Sequence, residues 1–528
     1  MSERSASGRH VVHRSPYPEP VIPETSLPGY ILEHAERFGD RPALVDAATG
    51  ETLTYRDLRA AARSAAWRIR ALGGAPGSTV AIAAANQPRW AVALLGVLCA
   101  GATAVPLNPA CTAAELERFL GIARCSLVLA DEQAAPAVTR AVSGRGAWAA
   151  LSDVAVLGAS DVPHPIRGAA ETAEVRVADQ EITPGKGAVL AFSSGTSGMP
   201  KGVQLTHANL MATLVQHEPI YDLTANDVVV AVLPMFHIYG LSMVLAYALR
   251  HGATVVTLSR FRLDSYLETI TKHRVTWLHL VPPIVVQLLS QEAAAADMRS
   301  VRHAVSGAAP LDARLVARLE ERLGCKVGQG YGMTEASPGV TWVPNDGSVE
   351  CPAGSVGILV PGTEARVVDP ISGDDVEGPG ELWVRGPQVM SGYLNAPEET
   401  AQTLSVDGWL RTGDILRVDA EGVWWVVDRL KEVIKCKGFQ VSPAELEGVL
   451  LEHPAVDDAA VAGIPDPFAG EVPAAWVVTR TPIGADELLA WVAERVAPYK
   501  RVRVVRFTDA IPRSAAGKTL RRKLVEGA

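Results

Sequence analysis

Apolar residues fall in short strand-length runs over roughly the first 350 positions, and longer stretches with helical spacing separate them. The runs include Thr79-Val-Ala-Ile-Ala, Ser126-Leu-Val-Leu-Ala, Val228-Val-Val-Ala-Val-Leu, Ala253-Thr-Val-Val-Thr-Leu and Val275-Thr-Trp-Leu-His-Leu. This alternation predicts an α/β fold with largely parallel sheets. Residues 88–98 and 311–323 read as crossover helices, with Pro88 suited to a first helical turn. The longest apolar stretch, 90–107, is interrupted by Gly96, Gly101 and Pro106, so it predicts a buried helix and then a strand rather than a membrane span.

The texture changes between about 350 and 427, where short strands alternate with Gly, Pro and Asp turns. A small β-barrel or meander closing a large domain accounts for this pattern. A charged break, Asp428-Arg429-Leu430-Lys431-Glu432, follows. Beyond it, helices at 443–451 and 485–496 mix with strands at 459–463, 474–480 and 502–507. The chain therefore divides into a flexible N-terminal arm (1–24), a large domain (25–430) and a compact α+β domain (431–528).

Composition narrows the picture. At 528 residues the chain needs more than one core. Its 49 basic and 58 acidic side chains give a net charge of −9, which argues against nucleic acid or an anionic membrane as main partner. Anionic ligands must then be met by local basic sites. The six cysteines are scattered without a C-x-x-C pair, as expected of reduced thiols in a cytoplasmic protein. The first residues are polar and proline-rich, without an apolar signal core.

The chemistry concentrates in a few short motifs. Ser193-Ser194-Gly195-Thr196-Ser197-Gly198-Met199-Pro200-Lys201 interleaves glycines with hydroxyl residues and closes on a lysine, directly after the strand-like 187–192. Backbone N–H groups freed by glycine, hydroxyl donors and one cation suit phosphate. Pro200 stands where a standard P-loop needs glycine, and an ordinary polar loop would show the same composition. In Gln329-Gly330-Tyr331-Gly332-Met333-Thr334-Glu335, two glycines flank an aromatic that can lie on a flat ring, and Thr334 and Glu335 offer oxygens to a hard cation. Arg411-Thr412-Gly413-Asp414 sets a carboxylate in a turn. Lys431, Lys435 and Lys437 alternate with apolar residues, which a solvated strand face also explains; Gly438 and Gln440 suit close approach to a ligand. Gly517-Lys518 puts a lysine on a tip near the C-terminus, expected to be flexible.

In this order, and with Ser306-Gly307-Ala308-Ala309-Pro310 and Phe236-His237-Ile238-Tyr239-Gly240, these motifs resemble the adenylate-forming superfamily of acyl-CoA synthetases, adenylation domains and luciferases. The likeness runs from about Leu27 to Arg522 and is to the branch of 4-coumarate:CoA ligases and bacterial cinnamate-CoA ligases. It implies that ATP, Mg2+ and CoA are used in two half-reactions. A carboxylate first takes the α-phosphate of ATP as an acyl-AMP, and the thiol of CoA then displaces AMP. The resemblance gives Ser193, Ser194, Gly195, Thr196, Ser197, Gly198 and Lys201 to the phosphates. It gives Gly307, Ala308, Ala309, Pro310 and Tyr331 to adenine, Gly330 and Gly332 to the bound ATP or AMP, Asp414 and Arg429 to the ribose, and Thr334 and Glu335, with Thr196, to phosphate and Mg2+. Lys518 serves adenylation. Lys431 is the hinge of a mobile C-terminal domain, Lys435 and Gln440 touch AMP, and Lys437, Gly438 and Arg260 meet CoA.

The resemblance also implies an acyl pocket lined by His237, Ile238, Tyr239, Met243, Gly307, Gly330, Met333, Pro338 and Val340. It is apolar, with Tyr239 as polar handle, and suits a planar aromatic acid. A lone histidine after Phe is most often structural; His237 takes the pocket role because Pro234-Met235-Phe236-His237 opens a glycine-containing loop. Three positions depart from the branch: Met243 for a small residue, Cys436 for an aromatic and Ser197 for threonine. Two other enzyme readings stay open: a carrier-protein thiol as acceptor, or a small oxyanion such as nitrite activated for transfer to an aromatic amine. A nucleotide sensor with a dead site is disfavoured by intact Lys518, Glu335 and Asp414.

Overall fold

The computed structural model describes residues 2–4, 11–142, 147–154, 183–193, 200–291, 293, 296–430, 432–436, 439–466, 469–496, 498, 500–514 and 517–526. Among these residues the strands form four sheets. The largest has nine strands. Its centre is parallel, in the order Val327–Gly332, His303–Ser306, Trp277–Leu280, Val228–Ala231, Thr254–Thr257 and Pro42–Asp46. Antiparallel strands extend both edges, Gly339–Trp342 and Ile358–Leu359 on one side and Thr52–Thr54 on the other. A seven-stranded sheet pairs Gly187–Ser193, Thr103–Leu107, Thr79–Ala83, Leu127–Ala130 and Ala147–Ala150 in parallel, with Lys201–Thr206 antiparallel against Gly187–Ser193.

The apolar runs became strands because both faces of each parallel sheet are covered by helices, so side chains on either face are buried. Val80, Ala81, Ile82 and Ala83 are all inaccessible. The run at 90–107 is the helix Pro88–Cys99 followed by the strand Thr103–Leu107, as its glycines and proline predict. That helix packs on Tyr55–Ala71 so closely that a Cβ at Gly96 would lie 2.6 Å from the Ala65 methyl. Among the described residues, no helix is long and apolar enough to cross a membrane.

The third sheet is the antiparallel stretch expected as a barrel or meander, and its strand order is that of a meander: Glu364–Val368, Gly380–Arg385, Leu410–Val418 and Trp424–Arg429. Its other edge comes from the stretch expected to be a loose arm. Val11–Arg14 pairs with Glu364–Val368, and Arg14 clamps Glu364 at 2.8 Å. Val12 is buried there, and that burial is what orders the segment.

The C-terminal domain is separate. Its five-stranded sheet (Phe439–Val441, Ile434–Cys436, Gly470–Thr479, Val456–Asp466, with Val504–Phe507 parallel to Gly470–Thr479) carries its own core of Ile434, Val441, Leu446, Val461, Val477 and Leu488. Ser442 caps the helix Pro443–Leu451 and Gly484 precedes Ala485–Ala493, close to the expected spans.

Candidate active site

In a parallel sheet, ligands are met beyond the carboxyl ends of the strands, where loops and bare backbone face a crevice. The two glycine motifs sit at such ends. Gly307-Ala308-Ala309 follows His303–Ser306, and Tyr331 closes Val327–Gly332. The glycines are demanded by neighbours. A Cβ at Gly307 would lie 3.1 Å from the Tyr239 ring, one at Gly330 would lie 2.6 Å from the Trp342 indole, and one at Gly332 would collide with the Pro338 carbonyl. Ala308 holds a left-handed backbone (φ 68°) without being glycine, the kind of local strain that clusters at binding loops.

On one side of this crevice the polar groups are paired. Tyr331 donates its hydroxyl to Asp414 Oδ2 at 2.7 Å, and Arg429 Nε donates to Asp414 Oδ1 at 3.0 Å. Asp414 and Arg429 are register partners on adjacent strands of the meander, so the sheet itself sets this geometry. Burial, and then the Asp414 carboxylate, hold the Tyr331 phenol far above its ordinary titration range. Glu335 is buried, and its Oε1 accepts from Ser193 Oγ at 3.2 Å and from the Tyr393 hydroxyl at 3.0 Å. Lys201 lies over the Tyr393 ring at 4.7 Å. Thr334 opens the short helical turn Thr334–Ala336 that presents Glu335.

Glu335 is an oxygen donor fixed by two hydroxyls, and among the described residues no group of three or more His, Cys, Asp or Glu is placed to hold a metal ion by itself. A single fixed carboxylate fits Mg2+, which takes its remaining ligands from water and substrate phosphates.

The C-terminal domain contributes Lys518. Gly517 rests on the end of the nine-stranded sheet, where a Cβ would lie 3.3 Å from Pro283 and 3.6 Å from Val281. Burial lowers the Lys518 amine below its ordinary value; Arg429 adds to this, while Asp414, Glu335 and Glu432 oppose it. The tip is not the free finger expected from its sequence. The Ser514 amide donates to the Lys518 carbonyl at 2.7 Å, the Lys518 amide donates to Ser514 Oγ at 3.1 Å, and the Leu520 amide donates to the Pro512 carbonyl at 2.8 Å. Arg513 anchors this turn to both oxygens of Asp458 at 2.8 and 2.9 Å.

The opposite side of the crevice is apolar and ring-lined. Ile238, Met243 and Val340 are buried, and Tyr239, Met333 and Pro338 are partly so. Pro234 to Gly240 does not open a glycine loop; it leads into a π-helical stretch, Gly240–Ala246, that buries Met243. Gly240 is required because a Cβ would strike the Pro234 carbonyl. π-Helical turns recur at functional sites. Burial, and secondarily the Lys518 charge, push His237 down to about 4, so it is neutral at physiological pH.

Not every expected residue gathers here. Arg260 is exposed, past the end of Thr254–Thr257. Lys435 and Gln440 are register partners on the hairpin Ile434–Cys436 and Phe439–Val441. Ser194, Gly195, Thr196, Ser197, Gly198, Lys431, Lys437 and Gly438 lie outside the described residues. Conversely, sequence reading missed Tyr393 and Trp342, and missed His217 and His279, which are wholly buried, His217 against Gly339 and His279 with its ring 6.0 Å from that of Tyr239. A histidine inside an apolar strand, as in Trp277-Leu-His-Leu, was the available signal for His279.

The family model of AMP-binding enzymes matches residues 31–394, and that of their C-terminal domain matches 445–518. The chain belongs to the AMP-binding enzyme family. This AMP-binding enzyme is 37% identical over 534 residues to 4-coumarate-CoA ligase 1 of Narcissus pseudonarcissus (98% of this chain, 96% of the relative). It is 40% identical over 535 residues to 4-coumarate--CoA ligase-like 9 of Oryza sativa subsp. japonica (97% and 95%). Among solved structures, ATP-bound MatB from Rhodopseudomonas palustris superposes with a TM-score of 0.86 at 28% identity, covering 96% of this chain and 99% of that one. The o-succinylbenzoate CoA synthetase MenE from Bacillus subtilis, with its acyl-adenylate, gives 0.81 at 30% identity (94% and 98%). By class it is an AMP-forming acid–CoA ligase that uses ATP, Mg2+, CoA and a carboxylic acid.

Proposed function

We propose that this ligase activates a planar aromatic acid of the cinnamate or 4-coumarate type and passes it to CoA. The observation that carries this reading is the uncharged wall in which Tyr239 covers Gly307 and Trp342 covers Gly330. Flat, polarisable surfaces of this kind favour a ring over a flexible or charged acyl group. The full-length likeness to 4-coumarate-CoA ligases supports the same substrate class.

A free carboxylate is a poor electrophile. In the first step its oxygen attacks the α-phosphorus, and pyrophosphate leaves. Lys518 meets the negative charge that gathers between the two reactants, and the phosphate donors 193–198 with Lys201 hold the leaving group. Asp414 and Arg429 take the ribose, Tyr331 and the backbone at 307–309 enclose adenine, and Gly330, Gly332 and Thr334 flank the same nucleotide. Glu335 with Thr196 would hold Mg2+, which would supply charge neutralisation to the phosphates. In the second step the CoA thiol attacks the acyl carbonyl and AMP leaves. The domain 431–528 rotates about Lys431, withdrawing Lys518 and turning Lys437 and Gly438 toward the pantetheine arm, while Arg260 meets the CoA nucleotide and Lys435 and Gln440 keep AMP. His237, held neutral by burial, lines the acyl pocket and adjusts for thioester formation.

The test is release of AMP and pyrophosphate with a panel of acids, with and without CoA, and mass detection of the thioester. Cinnamates and benzoates should exceed aliphatic acids of equal length by at least tenfold in kcat/KM. Equal or better turnover of aliphatic acids overturns the aromatic reading.

A further inference from the structure

On the acyl side several polar atoms are buried without a hydrogen-bond partner among the described residues, His217 Nε2 among them. His217 ends the buried helix His207–His217. Its Nδ1 lies 2.6 Å from the carbonyl oxygen of Thr213, one turn back. A carbonyl only accepts, so Nδ1 carries the proton and donates. Nε2 is therefore the bare acceptor of the ring, and it has no partner among the described residues. Desolvation pushes His217 down to about 4, so this tautomer persists across the physiological range.

The place of that nitrogen is specific. Gly339 stands between Pro338 and Val340 in the acyl wall and is the register partner of Gly332. A side chain at Gly339 would collide with the His217 ring. An ideal Cβ would sit 3.0 Å from Nε2 and 3.3 Å from Thr213 Oγ1, a hydroxyl that is also buried without a partner. The missing side chain is thus what brings an imidazole from the helix behind up to the wall. Trp342 stands edge-on to His217 at 5.1 Å, and the same indole covers Gly330. Along the wall, the Tyr239 hydroxyl and His279 Nδ1 are likewise buried and unpartnered, with the two rings 6.0 Å apart; His279 Nε2 pairs with the Tyr221 hydroxyl. A buried acceptor with no donor is costly, and most such groups in folded proteins are satisfied.

We infer that His217 is a specificity residue: its Nε2 accepts a hydrogen bond from an O–H or N–H on the part of the acid remote from the carboxylate. The substrates selected are acids that carry a neutral donor, such as a ring hydroxyl or amine. A methyl ether leaves Nε2 unpaired, and a second carboxylate faces it acceptor to acceptor. The inference rests on the placement of the acyl group proposed above, though not on that group being aromatic.

The test compares kcat/KM for hydroxy acids with their methyl ethers and methyl isosteres, in one aromatic and one aliphatic series. The wild-type enzyme should prefer the hydroxy member by at least about 10²-fold, toward the ~10⁴–10⁵ of sites built to bond a donor. His217→Leu should cut that ratio to within about threefold of unity, and His217→Gln, whose amide oxygen accepts, should restore most of it. A wild-type ratio near one overturns the inference whatever the variants do, so it stays testable if His217→Leu fails to fold. An equal loss on all acids in His217→Leu also overturns it, because that marks a structural role. A donor preference seen only in the aliphatic series keeps the inference and rejects the aromatic reading; turnover of neither series rejects both.

Discussion

The two faces of the crevice are built on opposite principles. On the nucleotide face, Asp414, Tyr331, Arg429, Glu335, Ser193 and Tyr393 form hydrogen bonds to one another before any ligand arrives. On the face proposed for the acyl group, His217, His279 and Tyr239 are buried with polar atoms that have no partner among the described residues. A paired face is rigid and tolerates one ligand, which suits a nucleotide that never changes. Under the proposed placement of the acyl group, an unpaired face is completed by the acid and so bears on the choice of substrate. Preorganisation lowers the cost of binding the constant partner, and an orphaned acceptor penalises the wrong variable one.

The sharpest break in that contrast comes from Lys518→Ala. Adenylation should fall by about 10²–10³-fold, the usual cost of removing one donor to a developing anion, while thioester formation from supplied acyl-AMP changes far less. Equal loss in both half-reactions, measured separately, would show that the lysine serves the fold rather than the first step. Asp414→Asn comes next. It withdraws the charged acceptor from both Tyr331 and Arg429, and should cost about 2 kcal/mol, roughly thirtyfold in kcat/KM for ATP, with little change in KM for the acid. If both substrates suffer alike in steady-state kinetics, the two faces are not independent.

Gly339→Ala probes the other face. The new methyl must displace the His217 ring, so stability should drop by about 1–2 kcal/mol and acid preference should shift, with KM for ATP unaffected. Tyr393→Phe removes one of the two donors on Glu335 and should cost about 1 kcal/mol, read as a weaker Mg2+ dependence of pyrophosphate release. The smallest effect on rate is that of pH. His237 and His217 are held near 4, so neither should contribute a limb to the kcat profile between pH 6 and 8. Stability behaves differently. In the unfolded chain these histidines take up protons near 6.5, and in the folded chain only near 4. Unfolding therefore gains protons between those values, and the melting temperature should hold above about pH 7 and fall as pH drops from 6.5 toward 4.

The same contrast explains what could be read from the chain alone. The nucleotide face is written in local motifs: Gln329 to Glu335 runs from a strand end into a short helical turn, and Arg411 to Asp414, expected as a turn, lies in the strand Leu410–Val418, so each keeps its chemistry within a few residues and spacing reveals it. The parallel strands were legible because buried runs such as 79–83 leave a compositional trace. The acyl face is written in distances that sequence hides. His217 reaches the wall only because position 339, more than a hundred residues away, lacks a side chain. The π-helical turn at Gly240–Ala246 was equally hidden, since its residues read as an apolar stretch after a glycine. The strand at Val11–Arg14 was missed because its partner lies some 350 residues downstream.

The stapled turn around Lys518 has a consequence for tempo. Its backbone is tied at Ser514 and Pro512, and Arg513 bolts it to Asp458 in the domain's long strand Val456–Asp466. In the proposed domain rotation, the backbone that carries the amine moves with the whole C-terminal domain, residues 431–528. Collective displacements of that size belong to microseconds and milliseconds, whereas an untethered lysine reorients in nanoseconds or less. In that proposed cycle, loosening the staple would uncouple the arrival of the lysine from the rotation of its domain.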